Sequence, residues 1–147
     1  MTDPELWSAF HARTLPAAAW THEAHLRIAY LYMRRYDIDE AHLLFRINLI
    51  RLNAFHEVPE SKSRGYHDTL SRAWLMVTAD AIARDGLPLA VGDSAAPAAG
   101  TESLAFLSRH PEFQDRKLML RFYSRERINS VEARARWMEP DLGPIAL

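Results

Sequence analysis

The sequence predicts an all-α fold: a single-domain helical bundle of about four main helices, followed by short C-terminal helices and an extended tail. Three observations predict it. Apolar residues recur at helical spacing in four stretches between residues 5 and 84. Capping residues stand in front of these stretches: Thr2 with Glu5, Thr21, and Asp37 with Glu40. No pair of alternating apolar runs is joined by a hairpin turn, and no internal repeat is found.

Taken in order, Thr2-Asp3-Pro4-Glu5 opens a short helix to about Arg13, with Leu6, Trp7 and Phe10 as its buried residues. Thr14-Leu15-Pro16 ends it. Thr21 caps a second helix running to about Tyr36. At 100° per residue, His22, His25, Leu26, Ala29, Met33 and Tyr36 share one face, expected inward. Glu23, Arg27 and Arg34 share another, expected outward. Asp37 caps a third helix that runs to about Phe55. Leu43, Ile47, Ile50 and Ala54 form one apolar stripe on it, and Phe45, Leu49 and Leu52 form a second. A helix apolar on two sides is expected at the centre of the bundle. Asn48 and Arg51 lie between the stripes as candidate polar groups facing a cavity.

Residues 56–65 read as a loop punctuated by Pro59, Gly65 and serines. A fourth helix is expected from about Tyr66 to Arg84, stopped by Asp85-Gly86. On it His67, Leu70, Ser71, Trp74, Thr78 and Ala81 share one face, so His67 also points inward, one turn into the helix. Residues 86–101 are rich in alanine, proline and glycine and read as a mobile surface connection. Thr101 caps a short helix through Leu107, ended by His110-Pro111. A segment over about 112–122 follows, and Ser124 and Ser130 cap two more short helices. The tail from Glu139 is expected to lie extended on the bundle.

Composition bounds the function. The 147 residues are 48% hydrophobic, enough for one domain to bury a core without staples. There is no cysteine, which removes disulfides, thiolate zinc sites and cysteine nucleophiles. The net charge is −1 at pH 7, so no global positive field attracts a phosphate backbone. The charge is uneven, because residues 109–136 hold eight basic side chains against four acids. That patch reads first as a solvated helix face. Nucleic-acid binding through it is the weakest of the readings, since no nucleic-acid motif accompanies it. The acidic start has no apolar run of the signal-peptide kind, and no stretch approaches the ~20 apolar residues of a membrane span. A cytoplasmic protein, not associated with a membrane, is expected.

The chemistry-bearing residues are histidines. His22 and His25 stand three apart on one helix, so their Cβ atoms lie roughly 5–6 Å apart. With His67 from another helix they form a candidate three-imidazole metal site with an open position, a pattern that suits zinc and activates water. Iron or manganese fits better if a carboxylate such as Glu57 or Glu60 joins. The bland alternative is three core histidines that hydrogen-bond or cap helix ends. His22-Glu23-x-His25 is one residue short of the zincin spacing, and Glu23 points away. His11, His42, His56 and His110 are expected on the surface or in loops, and Asp68 away from the site. Tyr123 and Arg125 form a second candidate group, a proton donor beside an anion clamp. The alternative for Arg125 is a pairing with Glu139 or Asp141.

Four motifs carry a resemblance. Trp20-Thr21-His22-x-Ala24-His25-Leu26, Gly65-Tyr66-His67-x-Thr69, Tyr123-Ser124-Arg125-x-Arg127 and Glu132-Ala133-Arg134-x-x-Trp137-x-Glu139-Pro140-Asp141-Leu142 are similar, in order, to motifs of a family of small bacterial helical proteins. The resemblance covers most of the chain. It implies a helical domain and a shared site, and no particular reaction. Lys62 and Arg64 depart from the acidic or amide- and threonine-rich loop of that pattern.

Together these readings predict a metal-dependent enzyme. His22, His25 and His67 would hold the metal, and Tyr123 and Arg125 would act on a small anionic or polar substrate held by Arg51 and Asn48. The reaction expected is hydrolysis or another metal-assisted polar step. The rival is a non-catalytic module that binds a small molecule or metal, or docks a partner. The oligomeric state is left open.

Overall fold

The computed structural model describes residues 1–92 and 96–147, and all the regular secondary structure among them is helical, with no strand. Among the described residues seven α-helices form one domain, joined in places by 3₁₀ turns. The first, α1 (Asp3–Ala12), starts on the expected capping box: Thr2 accepts from the Glu5 N–H and Glu5 reaches back to the Thr2 N–H. It ends where Arg13 turns left-handed, at φ 59°. Leu6, Trp7 and Phe10 are buried.

Helix α2 (His22–Arg35), capped by Thr21, is the centre of the bundle. It packs against α1, α3 (Ile38–Phe55), α4 (Asp68–Arg84) and α5 (Glu102–Arg109). Every residue from Leu26 to Met33 is buried. Arg27, expected to face solvent, is 5% exposed, because the chain start and α5 cover that side of α2.

Helix α3, capped by Asp37, was the expected centre and is peripheral. Its Phe45, Leu49 and Leu52 stripe is buried, while Leu43 and Ile47 of the other stripe stay exposed. One face is enough to hold a helix to the bundle, so a second stripe does not force burial.

Helix α4 begins later than its periodicity predicts. His67 is its N-cap, in extended conformation, with its side chain accepting the Leu70 N–H. The connection after α4 is held over its first part: Ala90, Val91 and Gly92 donate to the Met33, Arg34 and Arg35 carbonyls, which the end of α2 would otherwise leave unpaired. That corrects the expectation of a mobile segment there; residues 93–95 of the same connection lie outside the described residues.

The C-terminal third is a series of short turns. Helix α5 runs two residues past its expected end. The 3₁₀ turns Pro111–Gln114 and Leu118–Arg121 follow. Then come α6 (Arg125–Ile128) and α7 (Val131–Ala135), capped by Ser124 and Ser130 as expected. The tail is tied back by Leu142 to the Phe122 carbonyl and by Leu147 to Asp80. Among the described residues no helix is long and apolar enough to cross a membrane.

The other histidines are less superficial than expected. His11 bridges the Trp7 carbonyl and the Tyr32 hydroxyl, His56 reaches the Leu15 carbonyl, His42 pairs with buried Asp68, and His110 with Asp85. Each polar contact lets an imidazole fill a gap that an apolar side chain would otherwise fill.

Candidate functional site

The N-terminal turns of α2 and α4, with one face of α3, enclose a cavity of about 350 Å³. His22, His25, Leu26 and Ala29 line it from α2, Phe45 and Leu49 from α3. His67, Leu70, Ser71 and Trp74 line it from the start of α4. The helical faces drawn from the sequence therefore converge as expected. The volume is in the range of small-molecule pockets, and the lining is mostly apolar with a few polar groups, as in such sites.

Each histidine has one nitrogen set by a carbonyl. His22 Nε2 lies 2.8 Å from the Phe113 carbonyl oxygen. A carbonyl only accepts, so Nε2 carries a hydrogen, and in the neutral ring the lone pair is on Nδ1. His25 Nδ1 lies 2.8 Å from the Thr21 carbonyl oxygen, which leaves the lone pair on Nε2. Neither remaining nitrogen has a protein partner among the described residues. Aromatic rings fix both imidazoles: Trp20 packs on His25 at 3.8 Å between ring centres, and Trp74 meets His22 edge to face at 5.2 Å.

His67 differs. Its Nε2 donates to the Ile128 carbonyl at 2.8 Å, and its Nδ1 accepts the Leu70 N–H at 3.1 Å. Both nitrogens are committed, so its ring walls the cavity without offering a lone pair. Among the described residues no three or more His, Asp or Glu side chains are grouped to hold a metal ion. The position of His67 explains this: as the cap of α4 instead of a first-turn residue, it spends on the backbone the nitrogen that the sequence reading assigned to a metal.

Burial pushes the His25 imidazole down to about 4. The bond to Thr21 opposes the shift, and the charges of His22 and Arg116 add to it. His25 is therefore neutral at pH 7, an acceptor with weak basicity. Burial lowers His67 as well. Arg116 is exposed and stands on the cavity lining, the one Lys or Arg there among the described residues.

The other candidates fall elsewhere. Tyr123 is fully buried and donates to the Met138 carbonyl at 2.7 Å, which anchors the tail; burial raises its hydroxyl well above the usual range. Arg125 is exposed on α6, and neither residue lines the cavity. The tail pairing considered for Arg125 is made by Arg127, with the Glu139 carbonyl and Asp141. Asn48 donates to the Tyr32 hydroxyl and the Leu44 carbonyl, and Arg51 faces solvent; both lie off the cavity. Glu57 is exposed at φ 58°, and the Glu60 carboxylate accepts the Tyr66 N–H beside Gly65. Sequence reasoning missed Trp20 and Arg116 as lining residues. Trp20 precedes the Thr21 cap and carries only a local signal, and Arg116 sits between two 3₁₀ turns with no periodicity to place it.

No family model matches this sequence, and neither a curated protein nor a solved structure matches it.

Proposed function

We propose that the chain binds a small, largely apolar molecule carrying a hydrogen-bond donor and an anionic group. The observation that carries this reading is the pair of carbonyl-oriented imidazoles, His22 and His25, which line one largely apolar cavity and each have a second nitrogen without a protein partner among the described residues. The two lone pairs suit an O–H or N–H donor. The Arg116 guanidinium suits a carboxylate or phosphate. The tryptophan faces and leucines suit an apolar or aromatic body. Binding is favoured over acid–base catalysis because an imidazole held near 4 is a weak base at neutral pH.

A titration of intrinsic fluorescence tests the reading, since Trp20 and Trp74 both line the cavity. Small aromatic and aliphatic carboxylates are the probes. Quenching that saturates, and that weakens about tenfold in Arg116→Gln and in His25→Phe, supports it. Absence of saturable change across both classes rejects it.

One observation favours a second reading, a metal-dependent enzyme of the kind the sequence suggested. Metal-bound imidazoles commonly donate their other N–H to a backbone carbonyl, as His22 and His25 do. In this reading the two imidazoles hold zinc, iron or manganese, and the remaining positions go to water and a small anionic or polar substrate for hydrolysis or a related polar step. Elemental analysis of protein purified without chelator decides it. Stoichiometric metal that is lost in His25→Ala supports the second reading, and metal-free protein with no metal-induced rise in melting temperature rejects it.

A further inference from the structure

Helix α3 carries two apolar stripes, and the fold uses one. On the other, Leu43 is 58% exposed and Ile47 45%, with Leu44 and Ile50 half-buried at the edges. At 100° per residue Glu40, Leu43, Ile47, Arg51 and Ala54 lie within a band about 80° wide. Their spacing of three and four residues is that of a helix-pairing seam. The stripe faces away from Phe45 and Leu49, so it is separate from the cavity.

We propose that this face is a homodimer interface, in which α3 packs antiparallel on α3 of a second copy about a twofold axis near Ile47. The arrangement of charge selects the partner and the direction. Glu40 stands at one end of the stripe and Arg51 towards the other. Neither makes a side-chain ion pair among the described residues, whereas their neighbours Asp39 and Arg46 are paired with Arg72 and Asp68. With the axis at Ile47, Leu44 of one copy meets Ile50 of the other, and Glu40 falls within a turn of Arg51. The twofold axis repeats that ion pair and the Leu44–Ile50 contact. A parallel pairing sets Glu40 against Glu40 and Arg51 against Arg51. The overall charge of −1 gives no repulsion to overcome. A seam one helix long is a small interface, so the dissociation constant is expected in the micromolar range, about 1–100 μM.

Sedimentation equilibrium of the full chain over about 5–300 μM, a span around that range, tests the proposal. The expected result is a rise from the monomer mass towards twice that mass. Ile47→Glu and Leu43→Gln, both at exposed positions, should weaken association about tenfold or more with the helical circular dichroism unchanged. Glu40→Arg and Arg51→Glu should each weaken it, and their combination should restore it. A monomer mass across the whole range overturns the proposal, as would capture only of a foreign amphipathic helix. A dimer insensitive to both apolar variants overturns the choice of face. Failure of the double charge variant to restore association overturns the antiparallel pairing.

Discussion

His67 and Ile128, 61 residues apart, are joined by one hydrogen bond: the His67 Nε2–H donates to the Ile128 carbonyl at 2.8 Å. The same ring caps α4 through Nδ1. One side chain thus fixes a helix start and ties it to the end of α6. Both bonds are at least partly buried, and each replaces a contact with water that the folded chain does not offer.

His67→Ala is therefore expected to cost more than an ordinary cap. Loss of the cap accounts for about 1 kcal/mol. The stranded Ile128 carbonyl adds about 1–3 kcal/mol. His67→Asn keeps a capping side chain but is too short for Ile128, and should recover the cap alone, roughly a quarter to a half of the loss. Denaturant unfolding of the three proteins measures this. A loss in His67→Ala no larger than that in a surface variant would show the bond to be idle.

Much of the fold is legible in the sequence because its determinants are local. Thr2 with Glu5, Thr21, Asp37, Ser124 and Ser130 all cap where a capping residue precedes a periodic run. The cavity is legible too, since His22, His25, His67 and Trp74 follow from two helical faces. The use of the nitrogens is not. It depends on Phe113 and Ile128, whose carbonyls arrive from short turns far along the chain. Arg27 follows the same rule: periodicity assigns it to a polar face, and only the distant Ser103 and the chain start show that this face is covered. The two stripes of α3 are equally apolar in sequence, and which one is buried is decided by tertiary packing.

Acid should weaken the fold before its carboxylates titrate. His25 sits near 4 in the folded chain against about 6.5 when unfolded. Between those values the unfolded chain holds a proton that the folded chain does not. The contribution of His25 is thus complete above pH 6.5 and declines as pH falls towards 4, with a slope of up to about 1.4 kcal/mol per pH unit. His11 and His67, both lowered chiefly by burial, add in the same direction. Unfolding midpoints at pH 7, 6 and 5 should fall steadily, and more gently in His25→Gln. A wild-type profile flat over that interval contradicts the burial of these imidazoles.

The Arg27 cluster makes a sharper prediction. Its Nε donates to Ser103 Oγ at 2.8 Å, and its Nη2 donates to the Met1 carbonyl at 2.8 Å and to Asp3 at 3.0 Å. Asp3 is 1% exposed and also accepts the Ser103 N–H. Arg27→Ala leaves Asp3 as an unpaired buried charge, at a cost of about 3–5 kcal/mol. Arg27→Lys should recover only part, because an ammonium cannot reproduce the fork. The pair Asp3→Leu with Arg27→Met should be milder than Arg27→Ala, since it removes both charges together. Thermal melts of the four proteins give the order directly, and a double variant worse than Arg27→Ala reverses the argument.

Gly65 couples backbone strain to the cavity rim. It lies on the cavity lining at φ +93°, a conformation that L side chains rarely adopt, and a Cβ there would come within 2.5 Å of a Glu60 carboxylate oxygen. Glu60 is held in place by the Tyr66 N–H at 2.9 Å. Gly65→Ala therefore carries two costs. The backbone strain is about 1–3 kcal/mol and cannot be relieved by moving a side chain. The clash can be relieved, by displacing Glu60 at the expense of its hydrogen bond, worth about 0.5–1.5 kcal/mol. Glu60→Ala alone loses that bond only. In the double variant the bond is lost once and the clash is gone, so its destabilisation should be smaller than the sum of the two singles. Strict additivity in equilibrium unfolding would mean that Glu60 does not pack over Gly65 in solution.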